Sequence, residues 1–339
     1  MTSCASISKN SPRIIIMNFS WTLKHLILVT GLWTGMAHAA WPERPIKVVI
    51  PYAAGAAGDI LIRFMQPALQ ERLGQPIVVE NRPGAGGNIG TQEVVRAKPD
   101  GYTFVLGATN NFVINQFIYR SMSFNPLEAL APVTKLMTAP SVLFVNASVP
   151  SGSYAEFSRY AQANAGKLNY GSPGTGTTPH LSAWALSEFM GAKMTHIAYK
   201  GAAPGVQGLM SNEVQLFLVG YGVAANQLAS GKIKALAVAH NERLQAAPEI
   251  PTVREAGLPN VILSNWWGVA APKGTDSAVI GRMAAEFKRV LDLPATQAFL
   301  ARQGFVSGGN APDQFSRELS AEALEWEAVV KKAGARLDE

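Results

Sequence analysis

The chain has 339 residues, 48% of them apolar, with 29 Lys and Arg against 23 Asp and Glu, a formal net charge of +6 and one cysteine. No run of Lys and Arg and no basic stripe interleaved with aromatics occurs, so nucleic-acid binding is unsupported. The lone cysteine, Cys4, excludes disulfides and thiolate metal sites from the chain after it.

The first 39 residues read as a secretory signal. Lys24 and His25 precede the apolar run Leu26–Met36, and Ala37-His38-Ala39 is a small-x-small cleavage site. The run is too short to cross a bilayer, which needs about 20 apolar residues. Met17 is a more usual signal start than Met1, which makes the first 16 residues an upstream extension; a buried N-terminal helix is the alternative. Cleavage after Ala39 removes Lys9, Arg13 and Lys24 and no acid, leaving 26 basic residues against 23 acidic. About 300 residues is more than one core usually holds, so two domains are expected.

The remaining chain opens with a short β-branched strand, Ile46–Ile50, between Pro45 and Pro51. A loop of small residues, Tyr52 to Asp59, leads into a helix with Ile62, Met65, Leu69 and Leu73 on one face and a stop at Gly74. Pro67 predicts a kink or irregular first turns in it. Asp59 reads either as the helix N-cap or as the residue that orients the loop. A second strand, Ile77–Glu80, is followed by the turn-rich Asn81–Asn88, a helix over 89–97 and a strand over 102–106. Gly107 to Asn111 closes that strand. This βαβαβ order predicts an open, largely parallel sheet whose ligands bind beyond the carboxyl ends of its strands. Tyr52–Asp59 and Gly107–Asn111 both occupy that position.

Residues 120–140, with Pro126, Pro132 and Pro140, read as an irregular crossing to a second α/β domain. That domain alternates strand 142–145, helix 154–163, strand 167–170, a helix after Pro179, strand 195–198, helix 204–210, strand 214–219, helix 223–229 and strand 233–239. Within it, Asn169 to His180 is the most suggestive stretch. Gly171, Gly174 and Gly176 allow close backbone approach, Ser172, Thr175, Thr177 and Thr178 offer hydroxyls, and a helix N-terminus follows. It reads either as an anion site for carboxylate or phosphate or as an ordinary turn-rich connection. The chain then crosses back through Pro248 and Pro251, adds a strand over 266–270 to the first domain, and ends in three helices. In the last, Phe315, Leu319, Ala323, Trp326 and Val330 form an apolar stripe for the core.

The chain resembles the extracytoplasmic substrate-binding proteins of tripartite tricarboxylate transporters, the Bug family. The resemblance rests on Trp41-Pro-Glu-Arg-Pro-Ile46, Leu73-Gly-Gln-Pro-Ile-Val-Val-Glu-Asn-Arg-Pro-Gly-Ala-Gly-Gly-Asn-Ile-Gly90, Pro99-Asp-Gly-Tyr-Thr103 and Gly166-Lys-Leu-Asn-Tyr170. It continues in Gly176-Thr-Thr-Pro-His180, Tyr199-Lys-Gly201, Gly231–Ala237, Ile250–Pro259 and Ala271-Pro-Lys-Gly-Thr275. It implies a two-domain α/β periplasmic binding protein of type II, a Venus flytrap closing on a small organic carboxylate. The domains are expected at residues 40–138 with 242–339, and at 139–241, with hinges near Met137–Ser141 and Ala239–Arg243. It further implies periplasmic localisation, a monomer, transient contact with membrane transporter subunits, and no cofactor or metal. A sensor or solute chaperone of the same fold, not coupled to transport, is the alternative.

In such proteins the loop after the first strand and the glycine-rich loop of the second domain hold a ligand carboxylate through amides, hydroxyls and waters. The matching residues here are Tyr52, Gly55, Ala56, Ala57 and Asp59, then Ser172, Gly174, Thr175, Gly176, Thr177 and His180. Thr109, Asn110, Tyr199 and Tyr221 complete the expected site. Tyr52, Phe112, Tyr221 and Trp266 either wall the cleft, favouring an aromatic or extended ligand, or pack in the core. Two departures stand out. Ala54-Gly55-Ala56 replaces the Pro-Gly-Gly common in the family. Gln215 stands where an Asp is common on the strand entering the cleft; if it faces the ligand, amino acids are disfavoured. An enzyme is not expected: no Gly-x-Ser-x-Gly elbow and no phosphate-binding Gly-x4-Gly-Lys-Ser/Thr occur. His180, His196 and His240 lack metal-ligand spacing.

Overall fold

The computed structural model describes residues 1–2, 41–258 and 264–335. The described residues from 42 onward form one compact unit. The signal segment, its cleavage site and Cys4 lie outside the described residues.

The first lobe begins β1 (Ile46–Ile50), α1 (Ala57–Leu73), β2 (Ile77–Asn81), α2 (Asn88–Val95) and β3 (Thr103–Ala108). Strand β1 lies between β2 and β3, parallel to both. Gly74 ends α1 in the left-handed conformation at φ 68°, where a side chain would be strained. Pro67 does not end the helix: α1 continues through it to Leu73. Pro67 faces solvent, where water can satisfy the carbonyl its ring leaves without a donor.

The second half of the stretch read as an irregular crossing is a strand. After α3 (Asn115–Ile118) and α4 (Pro126–Ala129), β4 runs for 10 residues, Leu130–Ala139. Its three prolines hid it. Pro132 is accommodated where the ladder is already irregular: it pairs with Ala270 at a register shift in the β4–β10 ladder, and the outer neighbour of β4 reaches only Met137 and Thr138. Only Pro140 then separates β4 from β5 (Ser141–Asn146) of the second sheet.

The second lobe continues with α5 (Tyr154–Ala163), β6 (Asn169–Ser172), α6 (Thr178–Met190), β7 (Thr195–Ala198), α7 (Ala202–Met210), β8 (Leu216–Gly220), α8 (Tyr221–Leu228) and β9 (Ile233–Val238). Its sheet has the order β7-β6-β8-β5-β9. Helices cover both faces, so β5 is buried throughout: Leu143 and Val145 face one cluster, Val142 and Phe144 the other. The chain returns to the first sheet with β10 (Asn265–Pro272), followed by α9 (Ser277–Leu291), α10 (Pro294–Arg302), β11 (Val306–Ser307) and α11 (Pro312–Ala333). That sheet has the order β11-β4-β10-β3-β1-β2. In each sheet the strand entered directly from the other lobe, β5 or β10, runs antiparallel to its neighbours. This is the two-lobe, twice-crossed arrangement of type II periplasmic binding proteins.

The crossings are tied together: Ala239 N–H donates to Ser141 O at 2.8 Å, and Ser264 Oγ to Ala239 O at 2.6 Å. The α11 stripe is buried with Phe112, Trp266 and Val105 beneath the first sheet, and Leu181 of α6 joins the same cluster. Helices α1 and α9 are pinned by Glu286, 1% exposed, whose carboxylate meets Arg72, Arg282 and Arg289 at 2.6, 3.1 and 2.5 Å.

Candidate functional site

Three loops at the carboxyl ends of strands in the first lobe meet one from the second. The loop after β1 enters α1 without a side-chain cap. Ala56 is the N-cap in extended conformation, and the first intrahelical bond is Ile60 N–H to Ala56 O. The N–H groups of Ala57 and Gly58 therefore precede the helical ladder. Asp59 is not the cap. It sits in the first turn, 3% exposed, and its carboxylate reaches back to Gly55 N–H at 2.9 Å. It also accepts Arg63 Nε at 2.9 Å and Asn81 Nδ2 at 3.1 Å. Burial would raise its pKa, but the Gly55 amide, Asn81 and Arg63 together hold it below the usual carboxylate value. Asp59 thus fixes the loop, with Gly55 at φ 88° making the bend.

A second loop follows β3, where Asn110–Ile114 form a wide helical turn. Its asparagines knit the lobe. Asn111 Nδ2 donates to Gly86 O at 3.2 Å and its Oδ1 accepts Ala108 N–H at 3.0 Å. Asn115 Nδ2 reaches Gly86 O and Asn88 Oδ1 at 3.1 and 2.7 Å. Asn110 alone reaches the other lobe, donating from Nδ2 to Gly176 O at 2.9 Å.

The glycine-rich loop after β6 is held from below. Ser172 Oγ bonds Gly174 O at 3.0 Å and Gly174 N–H at 3.2 Å, and lies 2.7 Å from His196 Nε2. Thr177 is the N-cap of α6: its Oγ1 accepts His180 N–H at 3.4 Å and donates to Gly174 O at 2.8 Å. His180, 7% exposed, accepts Gly176 N–H on Nδ1 at 3.1 Å.

Tyr52, Asn110, Thr175, Gly176 and Thr177 line one cavity of about 90 Å3, together with Gly86, Asn115, Ile118 and Tyr119. No Lys, Arg, Asp or Glu is among them. Gly86, Asn115, Ile118 and Tyr119 escaped the sequence reading. The clue was the turn-rich Asn81–Asn88, which also follows the carboxyl end of a strand. Several expected residues take other places. Thr109 is fully buried and its Oγ1 accepts Trp266 N–H at 3.0 Å. Ser172 is fully buried inside its own loop. Tyr199 lies between Phe217 and Gly208, within the second lobe. Tyr221 begins α8 and packs on Gly304. Phe112 and Trp266 belong to the core, ring centroids 5.6 Å apart, so of the four candidate wall aromatics only Tyr52 lines the cavity.

Gln215 does not face the cleft. It precedes β8 at the end opposite the loops, where its Oε1 accepts Asn169 N–H at 2.8 Å and its Nε2 donates to Asn212 O at 2.9 Å. Its neutrality therefore says nothing against amino acids as ligands. A larger cavity, about 390 Å3, lies where the return crossing meets α10 and β11, lined in part by His240 and Arg243. The Arg243 guanidinium is engaged by Glu255 and by Pro248 O, and the glycine and hydroxyl loops do not reach this cavity. Among the described residues no cluster of His, Cys, Asp or Glu could hold a metal ion.

Residues 61–335 match the family described as tripartite tricarboxylate transporter family receptor. The chain is 35% identical over 269 residues to a UPF0065 protein of Bordetella pertussis, covering 79% of this chain and 83% of that one. It is 30% identical over 312 residues to BugT of the same organism, covering 92% and 96%. Among solved structures, R. palustris Rpa4515 with adipate matches at 32% identity and TM-score 0.76, covering 87% of this chain and 98% of that one. MatC from Rhodopseudomonas palustris with bound malate matches at 29% identity and TM-score 0.73, covering 86% and 100%.

Proposed function

Since the chain belongs to the tripartite tricarboxylate transporter family of receptors, we propose that it captures a small organic carboxylate in the periplasm and presents it to a membrane transporter. On this reading it is exported, cleaved after Ala39, and works as a monomer without cofactor and without turning its ligand over. The lobes are residues 40–138 with 242–339, and residues 139–241.

One observation carries the reading: Tyr52 from the loop after β1 and Asn110 from the loop after β3 line one cavity with Thr175–Thr177, the loop that opens into the N-terminus of α6, and Asn110 bonds Gly176 across it. Such termini supply N–H donors and a positive dipole end for an anion. The acid would be held by amides and hydroxyls of Thr175–Thr177 and by Tyr52 and Asn110, since no Lys or Arg lines the cavity; Gly55, Ala56, Ala57 and Asp59 lie outside its lining and would have to be brought to the ligand by lobe movement. Each neutral bond contributes about 0.5–1.5 kcal/mol, more to a charged acceptor. The relatives solved with adipate and with malate support this ligand class. On this reading the acid enters when the lobes part at the crossings near Met137–Ser141 and Ala239–Arg243.

The test is a thermal-shift screen of dicarboxylates, citrate-like acids and aromatic acids, with malate and adipate included. Calorimetry and mass analysis of the recovered acid follow. A ligand at about 100 times its dissociation constant should add about 2.7 kcal/mol of stability. Absence of any stabilising acid, or chemical conversion of one, refutes the proposal.

A further inference from the structure

Beneath the glycine-rich loop two imidazoles that do not line the cavity lie face to face. The rings of His180 on α6 and His196 on β7 have centroids 3.9 Å apart and planes 25° apart. Tyr170 on β6 continues the stack, 5.1 Å from His196 and 6.2 Å from His180. Each histidine holds a different point of the loop: His196 meets Ser172 Oγ at its start, and His180 accepts Gly176 N–H near its end.

The His180 bond has a fixed polarity. A backbone N–H can only donate, so Nδ1 must carry a lone pair and the proton of the neutral ring must sit on Nε2. Protonating Nδ1 would set two donors against each other. Gly176 is also the residue whose carbonyl receives Asn110 from the opposite lobe at 2.9 Å. One residue therefore joins the imidazole, through its N–H, to the contact between the lobes, through its C=O.

We propose that His180 and His196 are positioning residues, a stacked neutral pair that keeps Gly176 in the form that receives the ligand and the other lobe, and that proton uptake on His180 releases it. The proposal deepens the function given above, because it concerns the loop assigned to the carboxylate.

The surroundings favour the neutral pair. Burial pushes the pKa of His180 down to about 4, helped by the charge of His196; burial also lowers that of His196. The remaining ionisable group in the stack is the Tyr170 phenol, pushed up by burial and then by Glu188 of α6. Helices α5 and α11 also pack on α6, and on α11 Glu322 faces Trp266 Nε1 at 2.7 Å. Among the described residues no carboxylate forms an ion pair with either ring, and a proton taken up on Nδ1 of His180 must break the Gly176 bond.

The experiment uses the full ligand-free chain labelled with 15N at histidine and glycine, followed by NMR from neutral pH down through about pH 4. The His180 ring should titrate near 4 rather than near 6.5, and the Gly176 amide should move with the same midpoint while far-UV dichroism stays unchanged. His196→Phe keeps a ring in the stack and removes the neighbouring charge, so the His180 midpoint should rise. His180→Gln can still accept the Gly176 N–H but cannot titrate, so the Gly176 signal should become flat with pH. A His180 ring titrating near 6.5, a Gly176 amide that stays still through the His180 transition, or a Gly176 change seen only on global unfolding would overturn the proposal. No ligand is needed, so failure of every acid to bind would count against the function above and leave this result separate.

Discussion

Gly58 gives a prediction in which local propensity and tertiary packing have opposite signs. It is buried in the first turn of α1, and Ala at a helical position is favoured over Gly by up to about 1 kcal/mol. A Cβ built there, however, would lie 2.1 Å from Trp267 Cε3, 2.5 Å from Cζ3 and 2.8 Å from Cδ2. Ordinary carbon contacts are about 3.5–4.0 Å, so the indole would have to retreat by more than about 1 Å. It cannot do so freely: Trp267 is 5% exposed and its ring packs edge-on against Tyr52 with centroids 5.1 Å apart. Overpacking of this kind costs about 1–3 kcal/mol, which outweighs or cancels the helix gain. Gly281 supplies the control. It lies inside α9, exposed, with nothing within 4 Å of its would-be Cβ. Gly281→Ala should therefore stabilise by about 0.5–1 kcal/mol, while Gly58→Ala should be neutral to destabilised by about 2 kcal/mol. Urea unfolding followed by dichroism and tryptophan fluorescence measures both. If Gly58→Ala proves as stable as Gly281→Ala, the Trp267 contact does not constrain the loop that opens α1, and the reasoning fails.

Asn110→Ala removes the bond to Gly176 O and the longer one from Thr178 Oγ1; acid affinity should fall by about 3–10-fold, the equivalent of about one good hydrogen bond, and small-angle scattering with ligand should show a larger radius than wild type. Gly176 sits at φ 77°, where a β-branched side chain is strained by about 1–3 kcal/mol; Gly176→Val should abolish binding in calorimetry with the far-UV spectrum kept. Thr177→Ala should instead show mainly in stability, by about 0.5–2 kcal/mol, because its hydroxyl caps α6. Asp59 has a folded pKa below 3.8, so its contribution is present above that value and lost as pH falls through the folded pKa. The gap in unfolding stability between wild type and Asp59→Asn should accordingly be widest near neutrality and close in strong acid; a gap independent of pH would show that the carboxylate charge is not what holds Gly55.

The sequence by itself determined the elements and their order. Period-2 and period-3.6 apolar patterns placed most strands and helices, because a strand or helix face is set by neighbours within one or two turns. The glycine and hydroxyl loops after β1 and β6 were visible for the same local reason, as were the α11 stripe and the two-lobe alternation. What a side chain does once it arrives was decided only by the tertiary structure. Thr109 looked available for a ligand until β10, 157 residues away in sequence, claimed its hydroxyl. Pro132 argued against a strand until the fold set it at an irregularity of the β4–β10 pairing, beyond the reach of β11. Gln215 looked like a cleft residue, but the direction of β8 carries it to the far end. His180 read as a ligand donor, yet its Nδ1 is committed to Gly176 beneath the loop. Hydrogen-bond partners come from whichever segments the sheets bring together, and a single polar side chain satisfied by one distant backbone atom leaves no periodic trace in the sequence.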